Sequence, residues 1–330
     1  MQEAFRTIVS VPSFPFKINY ATSVVMLGSC FSENIGRMLS ERKLPVLINP
    51  FGVVYNPVPV AKVLNRIAEG KEYAEDDLIQ HNNQWLSLDH HTSFSNASRS
   101  ECLKHINQSL VYANQFWNTA QHLIVTLGTA RVYHYRKTGL PVANCHKIPA
   151  KEFTHTLLSV SEIVTLWSEL IEEMVTVKPN LRIVFTVSPV RHWKDGAVGN
   201  QISKSTLLLA VSQLVERFPN QAFYFPSYEL MMDDLRDYRF YNDDMLHPSP
   251  LAVSYIWERF KLSLVSDDMY TLIREIERIQ QAVNHRPFDT STRAFQKFVV
   301  DSLHRIDMVK AKNPSINFSN EVEMLKRHLG

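Results

Sequence analysis

Two side chains able to act as nucleophiles, Ser29 and Cys30, stand side by side at the end of the apolar run Ser23-Val-Val-Met-Leu-Gly28. A helix-like sequence begins immediately after them. Turns of this kind present a side chain at the carboxyl edge of an open α/β sheet, beside the amide donors of the new helix. Taken alone, a turn of small residues need only let strand and helix pack. Far downstream, Asp244-Met-Leu-His247 precedes a second helix-like segment at about 250–262. A carboxylate three residues ahead of a histidine can hold one ring nitrogen while the other faces a nucleophile. That is the base and orienter a serine or cysteine requires. Short loops often contain Asp-x-x-His by chance. Its place after the last strand, with Gly-Ser-Cys after the first, makes the combination specific. The expected chemistry is attack on an acyl carbonyl by Cys30 or Ser29, with His247 shuttling the proton and Asp244 orienting His247.

Such chemistry needs donors for a developing oxyanion. Asn49-Pro-Phe-Gly52 follows the second strand and Gly128-Thr-Ala-Arg131 the third. Glycine lets a backbone amide approach closely, and Asn49, Asn56, Thr129 or Arg131 can add a side-chain donor. Arg191-His192, after the fourth strand, should lie at the same edge, as a substrate-contact loop or simply a polar one. Cys30, at a helix start and facing His247, is expected to be partly exposed. It should also be more thiolate-like than a free cysteine, which titrates near ~8.5. A buried, inert cysteine is the plainer alternative.

The elements that must position these groups alternate. Apolar runs at 23–28, 46–48, 122–127, 181–187 and 222–225 read as strands. Helical patterns fit 32–42, 58–69, 99–119, 161–177 and 200–217. The clearest is 161–177, with Ser159 and Glu162 as a capping box and Ile163, Trp167, Leu170, Ile171 and Met174 on one face. Strands separated by helices imply a parallel sheet in a three-layer α/β/α sandwich, with ligands at the strands' carboxyl ends. Residues 71–98 and 131–147 interrupt the alternation, the second as a hairpin turning at Lys137-Thr-Gly139. Both are placed to overhang the active edge. Beyond residue 262 two apolar stripes, Leu272 to Val283 and Phe295 to Ile306, flank a break at His285-Arg-Pro-Phe288. They predict a helical appendage over 263–330, packed on the 1–262 domain.

Composition bounds the partners. In 330 residues, 35 Lys and Arg against 33 Asp and Glu leave a formal charge of +2, which points to neither nucleic acid nor an anionic membrane. No apolar run approaches the ~20 residues of a membrane span. The N-terminus lacks a signal-peptide pattern. Three scattered cysteines are too few for a disulfide framework or a zinc site. These features together predict a cytoplasmic protein. His90-His91 has no acidic or cysteine partner at zinc spacing, so no metal and no cofactor are expected. Gly199 to Ser205 only faintly resembles a phosphate loop and lacks its GK[ST] glycine.

The segments Gly28-Ser-Cys-Phe31, Asn49-Pro-Phe-Gly52, Leu127-Gly-Thr-Ala130, Thr186 to His192, Phe225 to Glu229 and Arg236 to Tyr241, leading into Asp244–His247, resemble the GSCFA family within the SGNH/GDSL hydrolase superfamily. The resemblance runs over most of the chain. It implies a flavodoxin-like fold around a five-stranded parallel sheet, matching the strands read above. It also implies hydrolysis of an acyl ester, of a small molecule or a saccharide. The superfamily's first block reads Gly-Asp-Ser; here Cys30 takes the nucleophile's place and Ser29 that of the Asp. The fourth block matches Asp244 and His247, and Gly52 is the loose counterpart of the oxyanion glycine. In the third block Gly128 matches, while Ala130 replaces the oxyanion Asn. A binding module that has lost activity is the other class of function consistent with the altered blocks.

Overall fold

Five apolar strands buried on both faces form the centre of the molecule, described by a computed structural model over residues 7–285, 288–290 and 292–327. They are β1 (Ser23–Gly28), β2 (Val46–Ile48), β3 (Ala120–Leu127), β4 (Arg182–Val187) and β5 (Ala222–Tyr224). All pair in parallel in the order β2-β1-β3-β4-β5. This is the flavodoxin-like order, which reverses between β1 and β3 and places a crevice there. Register is set by apolar partners such as Val25 opposite Leu123 and Leu27 opposite Val125.

Side-chain alternation assigns the two faces. Val25, Leu27, Leu123 and Val125 pack with α2 (Pro57–Glu69), α3 (Arg99–Thr119), α4 (Val160–Val177) and α5 (Gly196–Arg217). Val24, Met26 and Ile124 face α1 (Cys30–Glu41) and α6 (Pro250–Leu264). The capping box of Ser159 and Glu162 is formed as expected. Gly199 to Ser205 lies inside α5, whose hydrogen-bonded backbone cannot cradle a phosphate.

The two interruptions form a side unit. Arg131–Tyr135 pairs antiparallel with Pro141–Val142, giving the expected hairpin, and also with Phe153–Leu157. A short hairpin, Ile79–His81 with Gln84–Leu86, packs against it through Ile79 and Leu88. Beyond the sheet, α7 (Tyr270–Val283), α8 (Arg293–Lys312) and α9 (Ser319–Lys326) share a core built on Ile276, Val299, Ile306 and Phe318. Arg286 and Pro287, part of the expected break between the two stripes, lie outside the described residues. The bundle meets the sandwich at the C-terminal end of α1, where Arg42 pairs with Glu277 at 2.6 Å and Lys43 with Glu321 at 2.5 Å. Among the described residues no helix is long and apolar enough to cross a membrane.

Candidate active site

The turn between β1 and α1 is held from three sides. Gly28 adopts φ +142°, and its amide donates to Asn49 Oδ1 at 2.9 Å. A Cβ at Gly28 would lie 2.3 Å from the Thr126 carbonyl oxygen, so only glycine lets β1 and β3 come this close. The Ser29 amide donates to that same oxygen at 3.1 Å. Ser29 then caps α1, its Oγ accepting from the Phe31 amide at 3.2 Å, and is 5% exposed. One residue on, Cys30 is half-buried and opens the helix. In the first turn, Ser32 Oγ donates to the Leu27 carbonyl and bonds Thr126 Oγ1 at 2.7 Å, pinning the helix to two strands.

The second half of the site is a tight loop. The Asn242 amide donates to the His247 carbonyl at 2.8 Å and closes it, and Met245 takes a left-handed conformation at φ +58° to complete the turn. Asp244 Oδ1 accepts from the amides of Leu246 and His247, each at 2.9 Å, and Oδ2 lies 2.6 Å from His247 Nδ1. These bonds to the charged form, backbone amides first, hold the Asp244 carboxyl down to about 2. The carboxylate is therefore ionised at neutral pH and places the Nδ1 proton of His247, leaving Nε2 to face outward from the pair.

A cavity of about 370 Å³ joins the two halves. Ser29, Cys30, Gly128, Arg191, His192 and His247 all line it, together with Tyr55, Trp193 and Lys194. Neither nucleophile is hydrogen-bonded to the His247 ring among the described residues. The expected partial exposure of Cys30 is present, but the expected thiolate character is reversed. Burial, and then the carboxylate of Glu33 in the first turn of α1, push the thiol up. The amides of Cys30 and Phe31 and the Lys204 ammonium pull the other way without winning.

Several expected oxyanion donors are already engaged. The Gly52 amide donates to the Asn49 carbonyl at 2.7 Å, closing a turn with Gly52 at φ +86°, and the Gly128 amide donates to the Tyr55 carbonyl at 2.7 Å. Neither proton is free in this arrangement. Asn49 spends its Oδ1 on the Gly28 amide, while its Nδ2 is buried without a partner. Asn56 caps α2 and donates to the Thr129 carbonyl. Thr129 Oγ1 is bound to Ser203 and accepts from the Arg131 amide. Thr129, Arg131 and His192 line a small adjoining cavity of about 30 Å³. There Asp195 Oδ2 stands 3.7 Å from Arg131 Nε and 3.6 Å from His192 Nδ1, and His192 Nε2 is 3.3 Å from the Tyr55 hydroxyl. Burial pulls the His192 ring down, so it is neutral near pH 7.

One residue of the stretch that faintly resembles a phosphate loop has a different role here. Lys204, on α5, is fully buried, and its Nζ donates to the carbonyls of Gly128 and Ser188, each at 2.7 Å. It ties the carboxyl ends of β3 and β4 together beneath the cavity. The signal was present: stepping back from Leu214, Val211 and Leu207 at helical spacing lands on Lys204, Ser203 and Asn200, all buried.

Residues 23–260 match the GSCFA family, and residues 276–329 match the GSCFA domain protein, C-terminal domain. No curated protein matches the chain. The first match spans more than half of the sequence, from β1 into α6, and carries both the Ser29-Cys30 turn and the Asp244–His247 loop. The chain belongs to the GSCFA family.

Proposed function

We propose that this protein hydrolyses acyl esters as a relative of the SGNH/GDSL hydrolases, with Cys30 as nucleophile, His247 as base and Asp244 as orienter. In this reading residues 1–262 form the hydrolase unit and 263–330 a helical extension. One observation carries it: a carboxylate-oriented histidine and a half-exposed cysteine at a helix start line the same cavity. Because the thiol is held protonated, His247 Nε2 removes the Sγ proton as sulfur attacks the acyl carbon, rather than receiving a preformed thiolate. The carbonyl π bond becomes an oxyanion beside the Cys30 amide at the start of α1, where the helix dipole favours negative charge. As the C–O bond breaks, the imidazolium gives its proton to the leaving alkoxide. Water, deprotonated by His247, then cleaves the thioester and returns the thiol. Ser29 is the less favoured nucleophile because its hydroxyl is buried and serves as the helix cap.

A binding module on a hydrolase fold is the second reading. It is favoured by the raised thiol, the engaged amides of Gly52 and Gly128, and Ala130 where an oxyanion Asn is usual. Turnover of 4-nitrophenyl acetate and acetylated sugars by the wild type, His247→Ala, Asp244→Asn, Cys30→Ala and Ser29→Ala decides between them. His247→Ala should remove turnover and Asp244→Asn should lose less, since Asp244 only orients and stabilises the imidazolium. Full activity in His247→Ala sinks the assignment. Loss in Ser29→Ala with retention in Cys30→Ala moves the nucleophile to Ser29. No turnover and no acylated Cys30 by mass spectrometry in the wild type favours the binding module.

A further inference from the structure

A second cavity of about 620 Å³ adjoins the first across the Asp244–His247 loop, and the two share Arg191, Trp193 and Leu246 in their walls. Its charges can be paired off. Arg236 is bound to Asp233 at 2.7 Å, Asp237 to Arg239 at 3.3 Å, and Asp244 to His247 at 2.6 Å. Arg191 alone is left over. Among the described residues its guanidinium has no carboxylate, and the hydrogen bond it makes is to the Met232 sulfur at 3.6 Å. A half-buried guanidinium whose one hydrogen bond goes to a thioether keeps most of its N–H donors for a ligand, and its planar fork suits a carboxylate or phosphate. Lys194 lines the smaller of these two cavities, but its ammonium lies over the Tyr133 ring at 5.3 Å, which leaves Arg191 as the cation facing the larger one. Trp193, 53% exposed, and Tyr238, 76% exposed, offer flat apolar faces beside Arg191.

We infer that the larger cavity takes the alcohol part of the ester, and that this part carries an anionic group, carboxylate or phosphate, bound by Arg191 with a ring laid against Trp193. The inference rests on the hydrolase reading for where the acyl group lies. The anion itself is tested by binding, which needs no turnover.

Trp193 is the one exposed tryptophan among the described residues, so its fluorescence reports occupancy of this wall. Wild-type protein is titrated with glucose, glucuronate and glucose 6-phosphate. At least one anionic sugar should bind about tenfold or more tightly than glucose, as a charge-assisted contact provides, and the tighter of the two identifies carboxylate or phosphate as the source. Arg191→Gln should erase the preference, and Arg191→Lys should restore part of it, with melting temperatures confirming that both fold. Equal binding of all three sugars by the wild type, or binding of none, overturns the inference, as does a preference that survives Arg191→Gln. Anion preference without ester turnover counts against the hydrolase reading and not against the site; turnover without preference does the reverse.

Discussion

Lys204 makes the stability of this protein depend on pH in an unusual direction. Burial, against the pull of Cys30 and with a smaller push from the Arg191 charge, lowers its ammonium from 10.5 to about 7. A neutral amine has two N–H bonds, and two carbonyls, Gly128 and Ser188, stand ready for them; among the described residues the third proton of an ammonium finds no third oxygen and only the face of the Tyr228 ring, 5.8 Å away. Between pH ~7 and ~10.5 the unfolded chain holds a proton at this site that the folded chain has released, so stability rises with pH across that window. Below the folded value both states are protonated and the burial penalty is full; above the unfolded value both are neutral and it vanishes. From about pH 6 to about pH 9.5 the swing is about 3 kcal/mol, accumulating at ~1.4 kcal/mol per pH unit inside that window. Lys204→Met supplies the comparison. It leaves the two carbonyls without a donor, at about 1–3 kcal/mol each, but that loss does not depend on pH. Urea unfolding at both pH values should therefore show wild type gaining about 3 kcal/mol on the variant as pH rises, with m unchanged. A gap that stays constant from pH 6 to 9.5 refutes the neutral-amine account of the site.

Other outcomes follow from the same geometry. Iodoacetamide should label Cys30 with an inflection above the ~8.5 of free cysteine, because burial and Glu33 both raise the thiol; an inflection below that value contradicts the assigned environment. Cys102, fully buried with its thiol on the Phe94 carbonyl, should stay unlabelled until the protein unfolds. Gly28→Ala forces a Cβ to within 2.3 Å of the Thr126 carbonyl oxygen at a positive φ, and should cost about 2–6 kcal/mol from strain and overpacking. An unaltered thermal midpoint for that variant contradicts the close approach of β1 and β3. A chain ending at Met269 should aggregate, since it loses Ile273 from the sandwich core and bares the surface around Tyr20. A soluble monomeric truncation with unchanged melting would show the bundle to be independent.

The central sheet was legible because each strand is a short apolar run between polar ones, the mark of burial on both faces. The side unit was only half legible. Phe153–Leu157 alternates threonine with phenylalanine, histidine and leucine and is mostly exposed, and the strands at 79–81 and 84–86 are three residues long. Neither has enough apolar content to signal pairing that tertiary contact supplies. At the site, Asp-x-x-His described a real bonded pair because both residues lie on one short loop. The donors were another matter. Whether an amide such as that of Gly52 is free depends on the turn it closes, which residue identity does not reveal. The burial of Lys204 is not legible from residue type, because a lysine in a helix is ordinarily solvated.

The grip of the C-terminal bundle on Arg42 and Lys43 has a mechanical corollary. The helix whose first residue bears the thiol is held at its last turn by Glu277 and Glu321, about 18 Å away at 1.5 Å per residue. None of the residues walling the two cavities comes from beyond Leu264. The helix joins this clamp to a second anchor at its other end, where Ser32 fixes the first turn to β1 and β3 beside Cys30. Under the proposed mechanism, a displacement of about 1 Å at Cys30 would change the rate about a hundredfold. The bundle therefore bears on the same rigid element that presents the thiol, without touching either cavity.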